Sequence, residues 1–344
     1  MKGLLLKSFC LAAVAGFLST TSANAQCFKG TDGIWHNPDG SDCTNTILTA
    51  VPFLRIVADA RSGAMGDAGI AISPDANAMH FNQSKLVFAD KPLAISATYT
   101  PWLRALGLTD VYLAYLTGYY KLDDLQAVGV GLRYFSLGDI NFTDEDGTPI
   151  GTGRPNEFDI NVAYSRKLTD KLSAAVGAKF IYSNLAAGQQ VDGQIIEAGT
   201  AGAADISFSY KTDLEANGRP SDLMVGLVVT NIGSKITYTN AANKQKDFLP
   251  TNLGIGGAWN LNFDNYNSLT IAADINKLLV PTRCFDDPAT PENECDSDGN
   301  GVSDWREKSP IAGIFSSFSD APNGFDEELK ELMYSFGLEY WYDK

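Results

Sequence analysis

The densest set of metal-binding atoms in this 344-residue chain lies in Asp296-Ser297-Asp298-Gly299-Asn300-Gly301-Val302-Ser303-Asp304-Trp305-Arg306-Glu307. Side-chain oxygens fall at positions 1, 3, 5, 9 and 12 of this stretch, with glycine at position 6. That order suits a calcium loop: hard oxygen donors surround one cation, glycine permits a sharp turn, and a final glutamate binds through both oxygens. The expected ligands are Asp296, Asp298, Asn300, Asp304 and Glu307 through their side chains, and Val302 through its carbonyl. The competing reading is an acidic, solvated loop, because no helices obviously flank the stretch. Calcium here would be structural, with no cofactor required, and extracellular calcium would fill a site of modest affinity.

Cys27, Cys43, Cys284 and Cys295 remain once Cys10 leaves with an export signal. An even number suits an oxidising compartment, and the local pairs Cys27–Cys43 and Cys284–Cys295 are the simplest of three connectivities. The second pair would brace the loop that carries the calcium motif. Metal binding by cysteine is the weaker reading, since the two pairs lie far apart and no histidine accompanies the second.

Catalytic chemistry has little to work with, and no enzyme is expected. The histidines are His36 and His80, and neither sits in a metal or triad pattern. His80, next to Phe81, reads as a packed residue. No Gly-x-Ser-x-Gly, His-Glu-x-x-His or phosphate loop occurs. Gly129-Val130-Gly131 and Gly254-Ile255-Gly256-Gly257 fall within strand patterns with no helix following, so they are not dinucleotide loops. Arg133, Asp159, Asp205 and Asp274 sit on the polar face of their strands, where a solvated lumen is the default and a lined pathway the alternative.

The elements that carry these residues belong to an exported protein. Lys2 and Lys7 precede and punctuate an apolar run from Leu4 to Phe17, and Ala23-Asn24-Ala25 offers a small-x-small cleavage site, the order of a secretory signal. The run is too short for a spanning helix, and no later stretch is long and apolar enough for one. Gln26 ahead of Cys27 argues against lipidation of that cysteine. The net charge of −15, without any basic cluster, argues against nucleic-acid partners. From about residue 92 the chain repeats segments that alternate apolar with polar or small residues and then break at a turn. Phe158, Ile160, Val162 and Tyr164 alternate with Asp159, Asn161, Ala163 and Ser165, and Leu269, Ile271, Ala273 and Ile275 with Thr270, Ala272, Asp274 and Asn276. Ten strands are expected, over 92–100, 109–121, 125–137, 156–168, 171–185, 200–212, 222–235, 250–261, 267–277 and 334–343. Their length, and the aromatic residues near their ends (Tyr119, Tyr120, Tyr134, Phe135, Tyr182, Tyr340, Tyr342), favour a transmembrane antiparallel β-barrel over a soluble sandwich.

The connections alternate as well. Those after strands two, four and eight are short and the one over Asp213–Ser221 is intermediate, whereas those after strands three, five, seven and nine are long. Short periplasmic turns and long outer loops give this phase with a periplasmic N-terminus, which places the loop 278–333 outside. Within it, Asp326–Met333 reads as a short helix with Leu329, Leu332 and Met333 on one side, suited to capping the barrel mouth. Residues 50–90 do not alternate. Met65, Ile70, Ile72, Met79 and Phe81 give them too much apolar content for disorder, so they read as a segment filling the lumen rather than a loose leader.

Several stretches resemble the PorV (LptO) family of type IX secretion, within the broader FadL-like group of outer-membrane transporters. They are Phe53-Leu54-Arg55 with Asp59-Ala60-Arg61, Met65-Gly66-Asp67-Ala68-Gly69, Tyr99-Thr100-Pro101-Trp102-Leu103-Arg104, Leu132-Arg133-Tyr134-Phe135-Ser136-Leu137-Gly138, Asp274-Ile275-Asn276-Lys277-Leu278-Leu279-Val280-Pro281, and Gly313-Ile314-Phe315 with Phe318-Ser319-Asp320-Ala321-Pro322. The resemblance runs from Phe53 to the last residue. It implies a fourteen-stranded barrel with an N-terminal plug, a non-enzymatic export role, docking on the translocon pore, and capture of cargo by its C-terminal signal domain. Cargo then passes to a sortase-like attachment complex at the cell surface. Against that pattern the chain stops at Tyr340-Trp341-Tyr342-Asp343-Lys344. About ten of fourteen strands are therefore expected, in a barrel truncated at its C-terminus, whose open edges would be costly in lipid. The expected organisation is a signal peptide over 1–25, a leader over 26–52, a plug over 53–90 and an outer-membrane barrel over 91–344. The alternative function is a FadL-like channel for hydrophobic small molecules, which calls for an apolar lumen pocket.

Overall fold

The computed structural model describes residues 28–29, 35–36, 47–143, 146–191, 194–216, 218–239, 246–283, 295–321 and 325–342. The expected signal peptide, Cys27, Cys43 and Cys284 lie outside the described residues. Phe28–Lys29 and Trp35–His36 pair antiparallel in one compact unit. The account below concerns the other, Thr46–Cys284 with Cys295–Lys344.

Alternation in the sequence becomes ten strands: β1 Leu93–Pro101, β2 Val111–Lys121, β3 Gln126–Leu137, β4 Asn156–Lys167, β5 Leu172–Asn184, β6 Gly199–Ala216, β7 Arg219–Gly233, β8 Asn252–Asn262, β9 Asn267–Leu278 and β10 Met333–Tyr342. They form one antiparallel sheet in chain order, with β1 and β10 as its edges. Its polarity is the reverse of a water-soluble sheet. Val128, Val130, Leu132, Ile160 and Val162 are exposed, whereas Arg133, Asp159 and Asn161 on the opposite face are buried. An apolar face carried across ten strands far exceeds the few hundred Å² that soluble monomers expose, and lipid is the solvent that suits it.

Four tight connections alternate with longer ones. The tight ones are 122–125, 168–171, 217–218 and 263–266. The third is shorter than the sequence suggests, because the ladder between β6 and β7 continues to Ala216 opposite Arg219, and Gly218 turns with φ 73°. The connections after β3 and β5 hold small hairpins, Ile140–Thr143 with Pro149–Gly153 and Gln190–Val191 with Gln194–Ile195. Glu197 N donates to Tyr238 O at 2.8 Å, joining the connections after β5 and β7.

Residues 51–89 pack on the buried face of the sheet as short turns of helix: Pro52–Arg55, α1 Ala60–Ala64, α2 Ala78–Phe81 and Gln83–Phe88. None is long enough to be stable alone. Asp59 caps α1 by accepting from Ser62 N, and Asn82 accepts from Ser84 N. Contacts with the sheet supply the rest. Among the described residues, three further helices lie between β9 and β10: α3 Asp304–Glu307, α4 Pro310–Ser316 and α5 Phe325–Lys330. The expected apolar face of the last is not the buried one. Leu329 is exposed and Met333 already belongs to β10, whereas Glu328 is buried against Lys277, Oε2 to Nζ 2.7 Å.

Candidate functional site

The charges expected in a solvated lumen are instead the anchors of the plug. Arg133 on β3 is 2% exposed. Its Nη1 donates to Phe53 O and Leu54 O at 3.1 and 2.7 Å, and its Nε faces Asp159 Oδ1 of β4 at 3.6 Å. Asp205 on β6 pairs with Lys179 of β5 at 2.9 Å and accepts from Gln83 Nε2 and Asn231 N at 2.7 and 2.8 Å. Asp274 on β9 accepts from Gly69 N and Ile70 N at 2.7 and 2.9 Å. These side chains face inward because strand alternation puts them there. Groups of the plug and of neighbouring strands replace the hydrogen bonds to water that these side chains lose on burial. Sequence reasoning located the charges but not what covers them, since their partners lie up to 205 positions away.

The plug answers in kind. Lys85 is buried, and its Nζ donates to Gly69 O and Ile72 O at 2.5 and 3.1 Å, tying the middle of the plug to itself. Arg61 bridges Glu339 of β10 at 2.7 Å and Asp75 at 3.0 Å. Neither group stands out in the sequence, because a basic residue in an apparent loop carries no signal of burial. The strand glycines make room: a Cβ at Gly256 would lie 2.7 Å from Ile70 Cβ, and one at Gly177 would lie 3.1 Å from Gln83 Oε1.

His80 on α2 accepts at Nδ1 from Arg133 Nη2 at 2.6 Å. Arginine can only donate, so Nδ1 carries no proton and the ring is neutral. Burial, with Arg133 and Lys179 nearby, holds His80 well below the usual histidine range. The unfolded chain takes up a proton as pH falls through about 6.5, and the folded chain does not. Stability from this site is therefore present above about pH 6.5 and declines as pH falls toward the depressed folded value, by up to about 1.4 kcal/mol per pH unit. Unfolding midpoints between pH 7.5 and 5 should show this slope, and His80→Gln should flatten it. An unchanged slope in H80Q would assign it to other groups.

Between plug and wall lies a cavity of about 110 Å³. Arg55, Lys179, Asn231, Asp274, Asn276 and Ser335 are among its lining residues. Leu54, Val57, Ile70, Phe81, Val228 and Met333 also line it, so the cavity mixes charge and hydrogen-bonding groups with apolar surface.

At the end of the sheet that carries the long connections, the calcium motif is folded into a tight loop. Asp296, Asp298 and Asp304 each place a carboxylate oxygen within 4.8 Å of the others'. Asn300 Nδ2 donates to Asp298 Oδ2 and Glu307 Oε1, both at 2.8 Å, which brings the twelfth position to the fifth. Gly301 turns with φ 82° and its N–H donates to Asp296 Oδ2 at 2.8 Å, a conformation that favours glycine. A helix that the sequence does not announce, α3, begins at Asp304 and ends at Glu307. It carries Trp305, which stacks on Phe248 with ring centroids 6.4 Å apart, and Arg306, which pairs with Asp247 at 3.0 Å. The motif is thereby joined to the connection after β7. Cys295, just ahead of it, is disulfide-bonded.

Comparison with known proteins gives a family match and likenesses of fold. The family described as type IX secretion system protein PorV matches residues 39–285. The crystal structure of the Pseudomonas putida toluene transporter TodX is similar over 63% of this chain and 69% of that one, at 11% identity and a TM-score of 0.35. No curated protein matches the chain.

Proposed function

Since the chain belongs to the PorV family of type IX secretion system proteins, we propose that it is the non-enzymatic component that docks on the translocon pore and binds the C-terminal signal domain of cargo. It then passes that cargo to the sortase-like attachment complex at the cell surface. The family places the protein in the outer membrane and in this secretion system, and the family match is the observation that carries the reading. A lumen filled by a plug that is hydrogen-bonded to Arg133, Asp205 and Asp274 of the sheet supports a binding role at the loop end over passage of hydrophobic molecules. The apolar outer face would meet outer-membrane lipid. Affinity purification of the full chain from its native membrane tests the reading. Co-recovery of the pore protein and of cargo bearing the signal domain is expected, and loss of secreted cargo in a deletion strain should accompany it. Recovery of neither would overturn it.

We propose calcium as a structural ion in the loop Asp296–Glu307, with Asp296, Asp298, Asn300, Asp304 and Glu307 as side-chain ligands and Val302 as a carbonyl ligand. The local pairs Cys27–Cys43 and Cys284–Cys295 belong to the same proposal for the exported protein. Rigidity at α3 would pass to the connection after β7 through Trp305 and Phe248. Affinity in the range of about 10⁻⁴–10⁻³ M is expected for an extracellular module. Calcium titration monitored by Trp305-dependent fluorescence and by proteolysis of 279–332 should show saturable protection, weakened at least about tenfold by Glu307→Gln, which loses a bidentate ligand. Protection that is indifferent to chelator would leave the loop as a solvated acidic turn.

A further inference from the structure

We infer that the plug threads the barrel once from the cell surface inward, so that Ile47–Val51 lies at the outer face and Ala89 at the periplasmic face. The first and last contacts of the plug lie at opposite ends of the wall, although the chain between them turns back on itself. Arg61 meets Glu339, nearer the short-turn end than Asp274 with its later partners Gly69 and Ile70, and His80 returns to Arg133. At the long-loop end, Ala50 N donates to Phe248 O at 2.9 Å, and Ile47 packs with Phe248, Val280 and Trp305. Val51 and Phe53 pack in one cluster with Val111, the first residue of β2, and with Ile181 and Ile236. Midway, Asp274 holds Gly69 and Ile70, and Met65 lies against Gly337 of β10. Near the short-turn end, Ser84 O accepts from Ser165 and Ser173, which flank the turn 168–171, at 3.1 and 2.7 Å. At the end itself, Lys121 Nζ donates to Ala89 O and Tyr119 OH to Lys91 O, both at 3.0 Å. The chain then enters β1 directly from that end.

Periodicity led to a periplasmic N-terminus because it counts only strands. The start of β1 does sit at the short-turn end, but the plug ahead of it begins at the opposite end. Arg133 and Asp205 add plug partners to those they have on the sheet, Asp159 and Lys179, whereas Asp274 is held by Gly69 and Ile70 of the plug. The threading stands on contacts alone; its sidedness rests on the proposed orientation with long loops outside.

Cysteine labelling of the full chain in its native outer membrane separates the two. Leu48 is exposed at the start of the plug, Ala187 in the connection after β5, and Asp124 in the turn after β2. Leu48→Cys, Ala187→Cys and Asp124→Cys would each be treated on intact cells with a membrane-impermeant maleimide, and modified positions mapped by peptide mass so that native cysteines do not confuse the readout. Labelling at 48 and 187 to comparable extents is expected, with 124 modified only after permeabilisation. Position 48 behaving like 124 while 187 labels on intact cells would overturn the threading. Labelling of 124 alone on intact cells would keep the threading and overturn the orientation. Thr49→Cys serves in place of a Leu48→Cys that does not assemble.

Discussion

Arg133→Met is expected to release the outer part of the plug and lower the unfolding free energy by about 3–5 kcal/mol, the range for breaking one side of a buried ion pair. Three things happen together. Leu54 O loses its donor and Phe53 O one of two, His80 Nδ1 loses its partner, and Asp159, 1% exposed, loses the cation opposite it on β3. Methionine fills much of the volume, so the loss reports on polar contacts more than on a cavity. The measurement is the temperature at which the folded species disappears on an unboiled gel, followed with and without brief proteolysis. Cleavage within 51–89 should appear below the melting temperature in the variant and only above it in the parent. Arg133→Met combined with Asp159→Leu should recover part of the loss, because the stranded carboxylate is then gone. Equal melting and equal protection in R133M would mean that the plug is held by packing alone.

What could be read in the chain beforehand follows from where lipid imposes a pattern. Between aromatic girdles every second residue must be apolar, so β3, β4 and β9 stand out. Past the lipid boundary the constraint lapses while the hydrogen-bond ladder does not. Asp213, Glu215 and Arg219 hide the last part of β6 and the first part of β7 for that reason, although they pair in register. The hairpins within the long connections lack a lipid face altogether and leave no periodic trace. The inward charges were visible as charges on the correct face. Their role was not, because covering them is the work of a segment that has no period of its own. The loop Asp296–Glu307 is the opposite case. Its geometry is local, so residue types alone indicate the turn and the convergence of oxygens, whereas the stacking of Trp305 on Phe248 depends on a separate connection. Helix α5 shows the limit of amphipathic reasoning. Its buried contact is an acid on Lys277, chosen by a charge on β9 that no helical wheel includes.

Gly66→Val should separate the plug from β10 and cost about 2–5 kcal/mol, combining a left-handed backbone penalty with overpacking. Gly66 has φ 64°, and a Cβ there would lie 2.8 Å from Phe336 O, a backbone atom that cannot swing aside. The same short stretch meets β10 twice more. Met65 Cβ would lie 2.6 Å from a Cβ on Gly337, and Arg61 holds Glu339. Pushing the stretch back by one side chain therefore strains all three contacts, and β10 is an edge strand with a neighbour on one side only. Gly63 is the control. It lies in α1 with nothing within 4 Å of an added Cβ, so Gly63→Ala should be neutral or stabilise by up to about 1 kcal/mol. Melting on unboiled gels and fluorescence of Trp341 on β10 distinguish the outcomes. A tolerated G66V beside a damaging G63A would mean that these glycines serve motion. The reverse would show that Met65-Gly66-Asp67-Ala68-Gly69 keeps its small residues because a strand backbone runs within contact of the turn, which gives the family-like stretch a steric cause.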